Sequence, residues 1–228
     1  MKPLPDQDSK IPLWKRSLDL SFIILSLPLH LVLGLLIALI IRLVSPGPVL
    51  FRQARVGHLG RPFMLLKFRT MHVGSDTLVH RGHLNQLLTS NQPMVKMDSH
   101  GDRRIIPLGL LLRASGLDEL PQLINVFKGE MSLVGPRPCM PYEIKMYQPW
   151  QKERFNSLPG LTGLWQVSGK NNTTFLQMIQ MDIDYGHRKS LWLDLGIIVR
   201  TIPALLVQMR EIWQRRNQAG DPAPPPGL

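Results

Sequence analysis

From Leu20 to Ile41 the chain carries no Asp, Glu, Lys or Arg. Crossing the hydrocarbon of a bilayer takes about 20 apolar residues, so this run is long enough for lipid. Pro28 lies inside it and removes one helical hydrogen bond, so a helix here is expected to kink or break near that residue. Basic residues stand on both sides: Lys10, Lys15 and Arg16 before the run, Arg42, Arg52, Arg55 and Arg61 after it. A single crossing sets one of these groups against the positive-inside rule. A re-entrant hairpin that enters and leaves by the cytoplasmic face satisfies both, provided protein groups or water satisfy the backbone freed at the break. The run imitates a signal peptide, but it is too long and no small-x-small cleavage site follows.

The pattern after the run is that of a small mixed domain. Ser45-Pro46-Gly47-Pro48 is a turn that ends the helix. Val49 to Gln53 and Phe63 to Arg69 read as short strands around a turn at Gly57 to Pro62. Residues 72–104 are polar and poorly patterned, and His72, His80, His83 and His100 in them lack a third ligand at a recognisable metal spacing. Ile105 to Leu112 leads into a helix over Leu117 to Lys128. Met131 to Val134 is a strand, Pro141 to Arg154 a helix, Pro159 to Gly169 a turn and then a strand, and Phe175 to Tyr185 a helix. Leu191 to Trp213 has apolar residues at mixed helical spacing, broken by Arg200 and Arg210 and kinked by Pro203, which suits a helix lying in a membrane interface. Residues 1–12 and 214–228 are polar and proline-rich and read as a loose start and a flexible tail.

Composition narrows the partners. The chain has 228 residues, with 27 Lys and Arg against 16 Asp and Glu. That excess favours a polyanion: anionic lipid, nucleotide phosphate or nucleic acid. The single cysteine, Cys139, excludes an internal disulfide and has no His or Cys at metal-ligand spacing, so it reads as a small filler.

The segment from Leu111 to Pro138 carries the chemistry. Asp118 and Glu119 are adjacent and follow Arg113, and Arg137 is held between Pro136 and Pro138. Adjacent helical carboxylates point about 100 degrees apart, so they cannot flank a sugar ring from opposite sides. They can serve one phosphorus centre, one attacking and the other binding metal or moving a proton. Ser115-Gly116-Leu117-Asp118 also fits a helix cap; capping and catalysis are compatible, since a helix start keeps a carboxylate ionised and attracts phosphate. Two prolines stiffen the backbone at Arg137, a good mount for a guanidinium that grips two phosphate oxygens. Lys67 and Arg69 alternate along a strand and could face the same site, or water. Trp165 and Gln166 could contact a base or sugar, or pack; Asp182 and Asp184 precede Tyr185 on a helix.

The order of these motifs resembles the bacterial sugar transferases, the monotopic phosphoglycosyl transferases that act on polyprenyl phosphate. The matching pieces are KRSLDL at 15–20, the apolar run, SPGPVLFRQARVG at 45–57, KFRTM at 67–71 and LRASGLDELPQLINVFKGEMSLVGPRP at 112–138. PGLTGLWQVSG at 159–169, MDIDY at 181–185 and SLWLDLGIIVRTI at 190–202 complete the set. Each piece is weak alone; together, over residues 14–206, they are specific.

The resemblance implies an α+β fold: a re-entrant membrane helix over 13–44 and a small mixed catalytic domain over 45–213, with short strands and interfacial amphipathic helices. It places that domain on the cytoplasmic face of the bacterial inner membrane. It implies transfer of a hexose 1-phosphate from a UDP-sugar to undecaprenyl phosphate, with release of UMP, as a first membrane step in making a surface glycan. Asp118 falls on the family's nucleophile and Glu119 on its partner; Lys67, Arg113, Arg137 and Asp182 fall on positions around the site. The cofactor implied is Mg2+, with Asp118, Glu119 and Asp182 as candidate ligands. The partners implied are the two substrates, inner-membrane lipids and downstream glycosyltransferases, and no nucleic acid. One departure is visible: the family's Ser-Pro pair in the membrane helix would fall at Leu31-Val32, whereas here the proline is Pro28, after Ser26-Leu27.

Two rival readings come from the same features. A basic membrane adaptor explains the charge but leaves the carboxylates beside Arg113 and Arg137 without a role. A phosphatase acting on a lipid pyrophosphate would release inorganic phosphate instead of UMP.

Overall fold

The apolar run folds as one helix, α1 (Leu13–Val44), in a computed structural model that describes residues 10–74, 104–169 and 173–218. The helix continues through Pro28, so the break expected at that residue is absent. One missing N–H costs a single rung of the ladder; the rungs on either side persist, and the Ser26 hydroxyl adds a bond to the Phe22 carbonyl at 2.5 Å. His80, His83 and His100, most of the loose start and most of the tail lie outside the described residues.

After α1 come an antiparallel hairpin, β1 (Leu50–Val56) and β2 (Pro62–Phe68), and then the short helices α2 (Gly109–Ser115) and α3 (Gln122–Lys128). Strand β3 (Ser132–Val134) pairs in parallel with β4 (Gly160–Thr162). Helices α4 (Leu164–Val167), α5 (Phe175–Arg188) and α6 (Leu191–Gln218) finish the chain. The mixed α+β architecture with an apolar N-terminal helix is the one expected, and most elements fall where the sequence pattern puts them.

Three stretches differ. The helix expected over Leu117 to Lys128 is a 3-10 turn, Leu117–Glu119, followed by α3, because Pro121 cannot donate into a continuous ladder and instead opens the second helix. Pro141 to Arg154 is two 3-10 segments, Glu143–Lys145 and Trp150–Asn156, parted by Pro149. Within Pro159 to Gly169, expected as a turn and then a strand, the strand is only Gly160–Thr162, and Leu164–Val167 is α4, a single helical turn that drives Trp165 into the core.

A buried stripe on α1 faces the rest of the protein: Lys15, Asp19, Ile23, Ile37 and Ile41. Ile23 joins Phe63, Leu65, Val126 and Met131, while Ile37 and Ile41 join Phe68, Ile106 and Leu112. Both ends of α1 therefore pack on one globular body. The start of α1 is also pinned by polar groups. The Lys15 ammonium donates to Asp194 at 2.6 Å, Tyr185 OH at 2.8 Å and the Val134 carbonyl at 2.8 Å. Asp19 accepts from the Ser132 hydroxyl and the Leu133 N–H, each at 2.9 Å. The Arg16 guanidinium donates to the Val126 and Phe127 carbonyls in the last turn of α3, where helical partners run out. At the other end Ser45, just past α1, accepts from Arg69 through its hydroxyl at 3.0 Å and its carbonyl at 2.9 Å.

The opposite side of α1 is exposed and apolar, with Leu25, Leu29, Val32 and Leu35 open. Helix α6 is similar: Trp192, Val199, Ile202 and Leu206 are exposed along one side, and Ile197 and Asp194 are buried on the other. An apolar exposure of this extent marks a surface that meets something other than water.

Candidate active site

Glycine places the first carboxylate. Helix α2 ends on Gly116 at φ 74, a left-handed conformation that a side chain disfavours, and the chain turns there into the 3-10 segment that holds Asp118 and Glu119. Helix α2 is itself fixed, since Gln208 of α6 donates to the carbonyls of Arg113 and Ala114 at 3.0 and 3.1 Å. The N-cap of this segment is Gly116, which has no side chain to cap it, and Asp118 lies inside the turn. It is 7% exposed, whereas Glu119 has about a third of its side chain open.

Lys67 on β2 meets both carboxylates. Its ammonium lies 2.6 Å from Glu119 Oε1 and 3.9 Å from Asp118 Oδ2. Lys67 is positioned by Asn125 of α3, whose amide donates to the Met64 carbonyl at 2.8 Å and accepts from the Leu66 N–H at 3.1 Å. Asn125 therefore locks the strand one residue from the lysine. One cation thus sits between two acids in a partly open place, with Arg113 at the end of the helix that leads in. Two carboxylates that converge on one cation can take a divalent metal in the same way. Among the described residues no group of three His, Cys, Asp or Glu converges, so a metal here would draw its other ligands from substrate phosphate and water. That donor set suits Mg2+.

Asp182 does not join this pair. It is 1% exposed on α5 and forms an ion pair with Arg154 at 2.5 Å. It also accepts from the Arg137 backbone N–H. Burial raises its carboxyl to about 6, against the lowering by Arg154. The expectation that Asp182 helps hold metal is corrected on this ground: its carboxylate is enclosed and already bonded. Arg69 is likewise committed elsewhere, since its guanidinium is buried and donates to Ser45 and, at 2.6 Å, to the Pro48 carbonyl. Alternation along β2 puts Lys67 and Arg69 on one face, but only Lys67 is bonded to the acids. Trp165 packs in the core with Val56, Cys139 and Phe175, and the Gln166 amide donates to the Leu161 carbonyl at 3.1 Å. Cys139 is buried too, its thiol pushed up to about 12 by burial, which leaves it unreactive.

Arg137 keeps 28% of its side chain exposed, with Glu143 Oε2 3.7 Å from its guanidinium. The residues that sequence reasoning missed are those that hold others: Lys15, Asn125, Glu143, Arg154 and Asp194. A weak signal existed for one of them. Asn125 interrupts the apolar stretch Leu123 to Phe127, where a polar side chain needs a partner.

Comparison with known proteins gives the chain its relatives. The family model described as bacterial sugar transferase matches residues 11–208. A UDP-glucose:undecaprenyl-phosphate glucose-1-phosphate transferase of Caulobacter vibrioides is 44% identical over 204 residues, covering 86% of this chain and 71% of that protein. An exopolysaccharide production protein, ExoY, of Sinorhizobium fredii is 37% identical over 191 residues, covering 84% of each chain. An undecaprenyl-phosphate galactose phosphotransferase of Salmonella typhimurium is 37% identical over 166 residues, covering 70% of this chain and 34% of its own length.

Proposed function

Because this chain belongs to the bacterial sugar transferase family, a family of phosphoglycosyl transferases, we propose that it moves a hexose 1-phosphate from a UDP-sugar to undecaprenyl phosphate, through a covalent intermediate on Asp118. The observation that carries the reading is the meeting of Asp118 and Glu119 at Lys67. An adaptor has no use for such a cluster.

The Asp118 carboxylate attacks the β-phosphorus of the UDP-sugar. The bond from that phosphorus to the bridging oxygen breaks, and UMP leaves with the electron pair. An oxygen of the lipid phosphate then attacks the aspartyl phosphate, and the Asp118–phosphorus bond breaks to restore the carboxylate. Neither step requires a proton, because nucleophile and leaving group are anions throughout. Glu119 therefore serves by orienting Lys67 and by holding cation, not by acid-base work. Lys67, Arg113 and Arg137 stabilise the charge on the phosphate oxygens. Mg2+, when bound by Asp118 and Glu119, would neutralise pyrophosphate charge.

Substitution of Arg137 by lysine keeps the charge and loses the planar fork. The expected loss in kcat/KM corresponds to about 1.5–3 kcal/mol, the scale of a charged hydrogen bond. Kinetics within twofold of the parent would contradict a role on phosphate.

The packing of α1 favours a placement with both of its ends on the cytoplasmic side, the unbroken helix lying along the membrane surface and not folding back as a hairpin. A spanning helix parts its ends across about 30 Å of hydrocarbon, whereas both ends of α1 touch one globular body. The exposed apolar sides of α1 and α6 then meet lipid. With Cys139 buried and silent, cysteines introduced at the exposed Lys10 and Ser168 report the topology. Both are expected to resist a membrane-impermeant thiol reagent in cells with a permeabilised outer membrane, and both to react in inverted vesicles. Opposite behaviour of the two would mean that α1 crosses.

The experiment that tests the reaction is UMP release by purified protein across a panel of UDP-sugars, with and without undecaprenyl phosphate. Release of inorganic phosphate alone would replace the reading with a phosphatase.

A further inference from the structure

The backbone of Pro136-Arg137-Pro138 is held at every polar group. The Pro136 carbonyl accepts from the Gly160 N–H at 2.9 Å. The Arg137 N–H donates to Asp182, and its carbonyl accepts from Arg154 at 2.8 Å. The Pro138 carbonyl accepts from Arg55 at 3.0 Å. Three of these four bonds come from charged side chains that are 9% exposed or less. A surface turn does not need three buried ions, each of which is expensive to desolvate.

The bonds also continue from the Arg137 backbone to its own side chain. Asp182 pairs with Arg154 at 2.5 Å, and Arg154 donates to Tyr147 OH at 2.8 Å. Tyr147 donates to Glu143 Oε2 at 3.1 Å, and that oxygen faces the Arg137 guanidinium at 3.7 Å. Apart from Arg137, each member is buried. In this group three guanidinium groups, Arg55, Arg137 and Arg154, face two carboxylates, Glu143 and Asp182. The arrangement carries one positive charge in excess, and Arg137 is the member that reaches solvent. Arg55 is pushed down to about 10 by burial and by Arg137 nearby, so an anion at Arg137 relieves the cluster.

We propose that Arg154 and Asp182 are a positioning pair, completed by Tyr147 and Glu143, that fixes the backbone and the guanidinium of Arg137 so that it receives the diphosphate of a nucleoside-diphosphate substrate. The proposal rests on the reading of Arg137 as a phosphate ligand. Neither member of the pair touches substrate; both act through Arg137.

A double-mutant cycle separates this from a merely structural role. UDP binding is measured by calorimetry on the full chain in detergent, with Arg137→Ala, Asp182→Asn and the double variant. Tyr147→Phe, which removes one bond of the ring and keeps the packing, guards against misfolding of Asp182→Asn. Arg137→Ala and Asp182→Asn are each expected to weaken UDP about tenfold, one charged hydrogen bond's worth. The double variant should bind no more weakly than Arg137→Ala alone, and Tyr147→Phe should weaken UDP severalfold in the parent and not at all in the Arg137→Ala background. Additive losses, or parental affinity in both Asp182→Asn and Tyr147→Phe, would overturn the proposal. So would a parent that does not bind UDP. UMP release measured alongside keeps the two readings apart: coupled losses of UDP affinity with no UMP release in the parent would count against the transfer reaction and leave the clamp standing.

Discussion

Replacing Asp118 by asparagine is expected to abolish UMP release while leaving the fold in place. Asparagine has nearly the same shape and volume and fits the 3-10 turn that holds Asp118. It lacks the anionic oxygen that must bond to phosphorus. Loss of a nucleophile of this kind lowers turnover by roughly 10⁴-fold or more. Glu119→Gln is expected to be less severe, since it weakens the hold on Lys67 and cation but leaves the attacking atom. The check is UMP release by each variant beside its thermal unfolding curve. An Asp118→Asn protein that unfolds like the parent and still turns over at a substantial fraction of its rate would remove Asp118 as nucleophile.

The second large effect is on stability. Lys15 and Asp194 form an ion pair whose side chains are 3% and 0% exposed. Lys15→Met removes the ammonium and leaves Asp194 buried, with the Tyr185 OH still donating to it at 2.7 Å. Breaking one side of such a pair costs about 3–5 kcal/mol. The expected result is a much lower unfolding temperature in detergent, with the start of α1 released from α5, α6 and β3. Adding Asp194→Leu to Lys15→Met is expected to recover much of the loss, because the uncompensated charge is gone. Unfolding of Lys15→Met at the parental temperature would show that this contact does not tether α1.

The elements that local chemistry dictates were legible in the sequence. The apolar run names α1, turn residues at Gly57 to Pro62 name the hairpin, and β3 and α5 follow from their periodicity. Failures occurred where a distant contact outweighs the local pattern. Leu164 to Val167 has the composition of a strand, yet it forms a helical turn because Trp165 is needed in the core against Phe175 and Met178. At the site, Asp118, Glu119 and Lys67 were recognised as a group, and the structure brings them together. Arg69 and Asp182 were recognised as charged neighbours, but their partners are Ser45 and Arg154, and nothing in the local pattern marks those. The partners of Lys15 lie up to 179 residues away. A lysine beside an apolar run reads as a solvated flank until the chain is folded. Burial separates the charges that hold the fold from those that face substrate, and the sequence alone does not reveal burial.

The measurement that tests the central claim most directly is the intact mass of the protein after incubation with a UDP-sugar that it accepts, in the absence of undecaprenyl phosphate. The account predicts a gain of one sugar phosphate, located to the peptide that carries Asp118, with UMP released in the same amount; the gain disappears on addition of undecaprenyl phosphate and never forms in Asp118→Asn. An unmodified protein that releases UMP only when both substrates are present would contradict it, because transfer would then pass directly between substrates with no bond to Asp118.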